Sequence, residues 1–413
     1  MATTSTLRIA WRNLGRNRKR TFLAVSAIAL GQLTFLVISA LMNGYGDQYF
    51  NSITGPLIGH IQIHAPEWRE DRSIDLAIDD LGARLEQLRA DPGVAHAAPR
   101  MYAPVLAALT DEGFMGMVIG IDAQVESHDS GLLAGQDLSG QMGERRVLVG
   151  STFARKYDIA PGMELAVIGQ DVDGSIANDL FTVTNIVSSQ VDIVNSLGIV
   201  MSIEDAQEFL LMPDQAHEVL IHVKEPEMVL EVVAGLSTLP VVDGLEILPW
   251  REIVPQLVSM IDMIGAFTLI ILVIVFIAAA AGITNTMLMS TYERIHEFGM
   301  LLSLGCQPNR LGRMVAVEAM LLGLVGVAVG SALAIGVVLL TMDSGLDYAA
   351  LGGNDASYQV AFQGMQITSR VTPKLLPTDI GIGIVAVLFT SFISALWPML
   401  HIVRLEPMEA MRS

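Results

Sequence analysis

Apolar positions along this chain gather into four long runs separated by stretches of mixed pattern. Residues 21–42 carry no Asp, Glu, Lys or Arg and hold eleven Leu, Ile, Val or Phe. At ~0.3–0.6 kcal/mol each, these favour insertion into a bilayer by roughly 3–7 kcal/mol. About 20 apolar residues cross a membrane, so 21–42 predicts a transmembrane helix. A cleaved leader is the alternative; a span is expected instead, because the run exceeds the usual core of about 7–15 residues and no A-x-A site follows. Residues 263–289, 314–341 and 380–400 predict three more spans. Asp262 would cost ~3 kcal/mol at the bilayer centre, so the hydrocarbon begins after it. The last two spans are rich in Gly and Ala, as packed membrane helices often are.

The long segment between the first two spans follows other periods. Residues 57–64 (LIGHIQIH) alternate as a strand does, and 81–90 fit a helix stopped by Asp91-Pro92-Gly93. Residues 94–110 and 114–121 predict strands around a turn at Asp111-Glu112-Gly113. A similar unit recurs: a strand over 217–223, a helix over 226–236 and a strand over 245–248. Between the two β-α-β pieces, 130–202 is rich in short strands, among them 146–149, 163–169 and 181–187. The expected fold is four transmembrane α-helices with a large extracytoplasmic α/β domain over 43–259, split by a β-rich insertion.

Charge fixes the expected orientation. Residues 1–20 contain Arg8, Arg12, Arg16, Arg18, Lys19 and Arg20 and no acid, which places the N-terminus in the cytoplasm. Residues 43–259 hold 11 Lys plus Arg against 33 Asp plus Glu, more than accounting for the whole chain's net charge of −19. That acidic domain is expected outside. Four spans return the C-terminal tail, 401–413, to the cytoplasm. The link 290–313, with Arg294, Arg310 and Arg313, is expected there too, and the loop 342–379 outside. The layout implied is a multi-pass membrane protein with both termini in the cytoplasm. Charged residues are 16% of the 413, against about 25% in soluble proteins. The net charge argues against nucleic acid as a partner, and the single cysteine, Cys306, excludes a disulfide framework.

Little in the domain suggests catalysis. His60 and His64 lie four apart, but on a strand that is ~13 Å, too far to share a metal. Asp171, Asp173, Asn178 and Asp179 around Gly174 lack the register and closing Glu of a calcium loop, so they are expected to form a solvated acidic turn. No hydrolase, metalloprotease or kinase signature is present. No catalytic, metal or cofactor site is expected in this chain.

More telling is the link. From Tyr292 to Leu304 the pattern is helical, with Ile295, Phe298 or Gly299, and Leu302 on one face; Gly305 can close the helix and Pro308 open the next. A short amphipathic helix between spans either lies on lipid or docks on a soluble partner. Residues 1–20 carry a second apolar stripe, Leu7, Ala10 or Trp11, and Leu14. It is consistent with a helix in the headgroup layer, anchored by Trp11 with Arg12 and Arg16, or with plain topology signalling. Gly323, Gly326 and Gly330 line one face of the third span. Small residues there permit close helix approach, within a subunit or between subunits. Glu318 lies one to two turns inside that span, where a structural role near the link helix is expected.

Residues 285–330 resemble the C-terminal module of the FtsX-like permeases, the type VII ABC transporter class that includes MacB and the lipoprotein-releasing LolC/LolE pair. Asn285, Thr286, Glu293, Arg294, Glu297, Phe298, Gly299, Leu304 and Gly305 carry the pattern. The tail HIVRLEPMEAMR and the opening LRIAWRNLGRNRKRTFL resemble the family's ends. The split domain is similar to its porter and sabre subdomains, and residues 43–64 lean toward the lipoprotein-releasing branch. The resemblance implies that Tyr292, Glu293, Arg294, Ile295, Glu297, Phe298, Gly299, Leu302 and Gly305 form a coupling helix pushed by an ABC ATPase. It implies two ATPase copies, a second permease subunit (identical or a paralogue) and a domain moved by stalks continuing the first two spans. ATP and Mg would be bound by the ATPase. No P-loop sequence is present and only a short segment precedes the first span, so a separate ATPase chain is expected. The cargo implied is a lipoprotein or another amphiphile. The alternative is a membrane regulator that activates a periplasmic partner such as a cell-wall hydrolase.

Overall fold

The computed structural model describes residues 12, 18–109, 112–128, 130–138, 140–347, 360–362, 365–367 and 370–403. Helix α1 (Arg18–Ile53) carries the first apolar run well past Met42 and ends in a π-helical turn at Thr54–Ile58. Pro56 offers no N–H to that turn. Gly59 follows at φ +68°, where a Cβ would press on the Ile221 backbone at 3.2 Å. The strand expected over 57–64 is therefore shortened to β1 (Ile61–His64).

Helix α2 (Leu81–Ala90) has the expected bounds, and the turn predicted at 111–113 lies partly outside the described residues. The strands β2 (Val94–Leu109) and β3 (Glu112–Ile121) form a long hairpin. The stretch expected to be mostly β supplies β4 (Arg146–Gly150), β5 (Glu164–Gln170), β6 (Ile176–Val187) and β7 (Gly198–Ser202), with short helices between them. Then come β8 (Glu218–Val223), α3 (Val229–Leu236) and β9 (Glu246–Pro249). The helix expected from 226 starts as a 3₁₀ turn at Pro226–Met228.

Among the described residues these strands join in one nine-stranded sheet, in which the stretch expected as an insertion supplies β4 to β7. The pairings β2–β3–β7–β4–β6–β5–β2 close into a ring, while β8, β1 and β9 extend from the first half of β2. The 16 residues of β2 serve both parts. A small ring of this kind is filled by side chains. Val105, Val118, Val147, Val167 and Val183 are buried in the domain core.

Further along the chain come α4 (Pro255–Glu293), α5 (Ile295–Ser303), α6 (Pro308–Thr341) and α7 (Pro377–Val403). Among the described residues four helices, α1, α4, α6 and α7, are long and apolar enough to cross a membrane, and each extends beyond its expected span. The chain divides into two compact units, Met1–Asp47 with Ile261–Asn354 and Arg370–Ser413, and Gln48–Met260 with Asp355–Ser369. The first has its own core, including Ile28, Phe35, Phe276, Phe298, Val315 and Val387. Within the 342–379 segment, β10 (Leu346–Asp347) pairs with β13 (Arg370–Val371), and β11 (Val360–Phe362) with β12 (Met365–Ile367). Its end is tied to α1: the Ala40 carbonyl accepts from the Lys374 amide at 2.8 Å, Lys374 pairs with Asp47, and Asn43 Nδ2 donates to Asp379 at 2.6 Å.

Candidate functional site

The link between α4 and α6 is built around a break at Arg294. Its backbone leaves helical geometry (φ −108°, ψ 9°), so α4 stops at Glu293 and α5 starts at Ile295. Tyr292 and Glu293, expected in the link helix, are instead the last turn of α4. The physical reason is visible in the side chain. Arg294 Nε donates to Glu297 at 3.3 Å, Nη1 to Glu318 of α6 at 3.3 Å, and the guanidinium sits 5.1 Å from the Phe298 ring centroid. One cation thus joins α5, α6 and an aromatic face, and the chain must turn to bring it there.

Inside this joint, Phe298 (1% exposed) and Gly299 are buried and Ile295 and Leu302 are half-buried, the face the sequence predicts. Gly305 closes the helix at φ +88°, and Pro308 takes the first turn of α6. The outward side is less polar than an amphipathic pattern suggests. Tyr292, His296, Met300 and Leu301 are exposed, and Leu304 is 83% exposed. These apolar outward positions were not singled out by periodicity, which marks only the buried stripe. A second tie lies alongside: Arg20 of α1 donates to Glu293 at 2.6 Å and to Ser290 at 2.8 Å. Tyr292 meets His401 of α7 edge-on at 5.6 Å. Every long helix of this unit therefore contributes to the link's surroundings.

Gly323, Gly326 and Gly330 of α6 all contact the same unit's helices. A Cβ on Gly326 would lie 2.6 Å from Ile28 Cβ, and one on Gly330 2.5 Å from the Ala29 carbonyl oxygen, so α1 rides on their surface. A Cβ on Gly323 would clash with Ser391 of α7. The sequence missed a polar member of this packing. Gln32 is fully buried and donates to Ser331 at 3.2 Å, with its amide also against Gly383. Of the expected interfacial anchors, Arg12 is helical and exposed, whereas Trp11 and Arg16 lie outside the described residues, as does the tail after Val403.

Elsewhere, His60 and His64 are both buried on the sheet, with His60 5.5 Å from His222 ring to ring. Burial holds His60 down to about 4 and His222 to about 3. His60 Nδ1 accepts from the Val223 amide at 3.0 Å, a core role. Asp171 caps its own turn by accepting from Asp173 and Ser175 amides at 3.1 and 2.9 Å. Among the described residues no group of three or more His, Cys, Asp or Glu could hold a metal ion.

An apolar four-helix unit with a broken, cation-pinned link and a mixed α/β domain between its first two helices defines a class of membrane protein. The FtsX-like permease C-terminal family matches residues 255–407, and the MacB-like periplasmic core domain matches residues 21–239. The chain belongs to this family: it is an ABC transporter permease of the MacB/LolC/FtsX type. Such permeases are generally non-catalytic inner-membrane proteins that normally partner with an ABC ATPase.

It is 21% identical over 416 residues to the lipoprotein-releasing system transmembrane protein LolC of Neisseria meningitidis serogroup B, covering 95% of this chain and 94% of that protein. It is 34% identical over 84 residues to the ABC transporter permease YtrF of Bacillus subtilis, covering 20% and 19%. Similar solved structures include the periplasmic region of MacB from Actinobacillus actinomycetemcomitans (TM-score 0.35, 15% identity, 50% of this chain and 95% of that one). Another is the extracellular domain of the transporter YknZ from Gram-positive bacteria (TM-score 0.32, 11% identity, 46% and 98%).

Proposed function

We propose that this chain receives force from a separate ABC ATPase at the link helix α5 and converts it into movement of its large domain, so as to extract or move a lipoprotein or another amphiphile. The observation carrying this is the two-sided link. Phe298 is sealed inside and Arg294 is pinned to Glu318, while Met300, Leu301 and Leu304 stand exposed. An apolar face held outward on this joint suits a helix docked in a groove of a soluble partner. In this reading the N-terminus, the link and the tail are cytoplasmic and the large domain periplasmic, as the arginines before α1 and the acidic domain favour. Two ATPase copies, holding ATP and Mg, would serve a pair of permease subunits.

The test is copurification with the cognate ABC ATPase in nanodiscs. Leu304→Asp and Met300→Asp are expected to lower ATPase association at least about tenfold, the loss of one well-buried contact, while the melting temperature stays at the parent's value. Unchanged association in both variants overturns the assignment. Retained ATPase activity with release of a hydrolase-activating signal, and no cargo, would favour a regulator.

A further inference from the structure

The outer face of the sheet carries a cavity that the link does not explain. Strand register puts its polar residues together. Gln62 lies opposite Leu220 and Leu248, His64 opposite Glu218, and Arg100 opposite Glu218 on the other side. Gln62, Glu218, Arg100, Tyr102 and Pro104 therefore share one face. Arg100 is satisfied there by Glu126, at 2.5 and 2.9 Å, and the Tyr102 hydroxyl donates to Glu218 at 2.7 Å. Beside them is a space of about 490 Å³, within the range of small-molecule sites.

Its walls are mostly apolar: Ile58, Pro104, Met117, Ile193, Ile253 and Val254. Its floor holds Gln62, which is 4% exposed and whose side-chain amide has no hydrogen-bond partner among the described residues. That amide lines the cavity, so a ligand there can supply the hydrogen bond that the protein does not. At the mouth, Arg69 and Arg72 have no carboxylate within ion-pair distance among the described residues. Arg69 donates only to the Ile253 carbonyl, at 3.3 Å, and Arg72 lies 4.2 Å over the Trp68 ring. Burial pushes the Glu218 carboxyl up, while Arg100, the Tyr102 hydroxyl and Arg72 act against that rise.

Beyond the cavity the same face stays apolar and open. Pro104 faces Met117, and Leu106 faces both Met115 and Ile168. Leu106, Met115 and Leu180 are more than half exposed. The strip runs roughly 7 Å along the strands and ~14 Å across three strand spacings, close to the reach of one acyl chain.

We propose that this cavity binds a single-chain amphiphile whose head carries a carboxylate or phosphate. The chain lies on the apolar wall and strip, the anion meets Arg69 and Arg72, and the Gln62 amide meets the polar head beside it. Taking this ligand as cargo rests on the permease reading; the binding does not.

The test uses the full chain in nanodiscs with a photoactivatable palmitate, mapped by mass spectrometry. Label is expected on peptides bearing Met117, Ile193 or Ile253. Palmitate and lysophosphatidate compete, hexadecanol competes about tenfold less well, and inorganic phosphate does not compete. Arg72→Gln, at the surface, raises half-saturation by palmitate about tenfold, the loss of one charge-assisted contact, and leaves hexadecanol unchanged. Met117→Trp abolishes labelling at an unchanged melting temperature. Label confined to the membrane helices, competition by phosphate alone, or a crosslink between two copies through Leu106 and Met115 each overturns the proposal. Cavity labelling that survives in Leu304→Asp while ATPase association is lost shows that the two assignments fail separately.

Discussion

Two arginine–glutamate ties of the same chemistry sit in the two units of this protein, and their surroundings differ. Arg100 and Glu126 are each 1% exposed, joined by two short bonds, and Glu126 also accepts from the Leu132 amide at 2.6 Å. Burial alone would pull the Arg100 guanidinium down, but Glu126 beside it wins and holds it above its ordinary value. Arg294 is shared between Glu297 and Glu318 at 3.3 Å each, with side chains 14%, 36% and 6% exposed. A fully desolvated, bidentate pair with a further amide donor has no water to fall back on, so it fixes one geometry. A longer, forked, part-solvated tie can exchange partners at modest cost. The first suits a rigid domain; the second suits the force-receiving joint proposed above.

Replacement of one partner breaks this contrast most sharply. Arg100→Leu leaves Glu126 buried and unpaired and is expected to destabilise the protein by about 3–5 kcal/mol, measured by chemical unfolding of the full chain in detergent. A cost below that of Arg294→Leu would erase the distinction.

Acid probes the same domain next. His60 and His222 are held below their unfolded values, so the unfolded chain binds more protons as pH falls from about 6.5. The stability they confer is full above that pH and is lost toward pH 4, on the order of 3 kcal/mol from His60 alone, whose folded value is about 4. Glu218 acts in the opposite sense, its cost appearing as pH rises through its unfolded value and fading in acid. Unfolding scans of the parent against His60→Asn check this: the variant should lose less stability between pH 6.5 and 4, values set by the unfolded and folded histidine.

Smaller still is Gly330→Leu, where the added side chain meets the Ala29 carbonyl. Overpacking there is expected to cost about 1–3 kcal/mol, read as a lower melting temperature. The mildest effect on stability belongs to Arg294→Gln, about 1 kcal/mol or less for a part-exposed tie. That variant should keep ATPase association yet uncouple hydrolysis from cargo release. A loss of stability comparable to that of Arg100→Leu would make the joint a structural pin.

Local pattern determined a good deal of this protein by itself. The four apolar helices, α2 with its Asp-Pro-Gly stop, the β2–β3 hairpin and the Gly305–Pro308 break all follow from short-range physics: transfer free energy, periodicity of 3.6 or 2, and the torsions open to Gly and Pro. The buried stripe of the link, Ile295, Phe298 and Leu302, follows in the same way. Tertiary structure decided what depends on partners far along the chain. The closure of β4–β7 onto β2 and β3 needed pairing across tens of residues, which no window of pattern contains. The break at Arg294 depended on Glu318, 24 residues on. The exposed side of the link, Met300 and Leu304, became visible only once Phe298 was seen to occupy the inside. The cavity at Gln62 likewise exists because strand register turns one glutamine toward a space walled by residues from Ile58 to Val254, and register is a property of the folded sheet, not of any single strand.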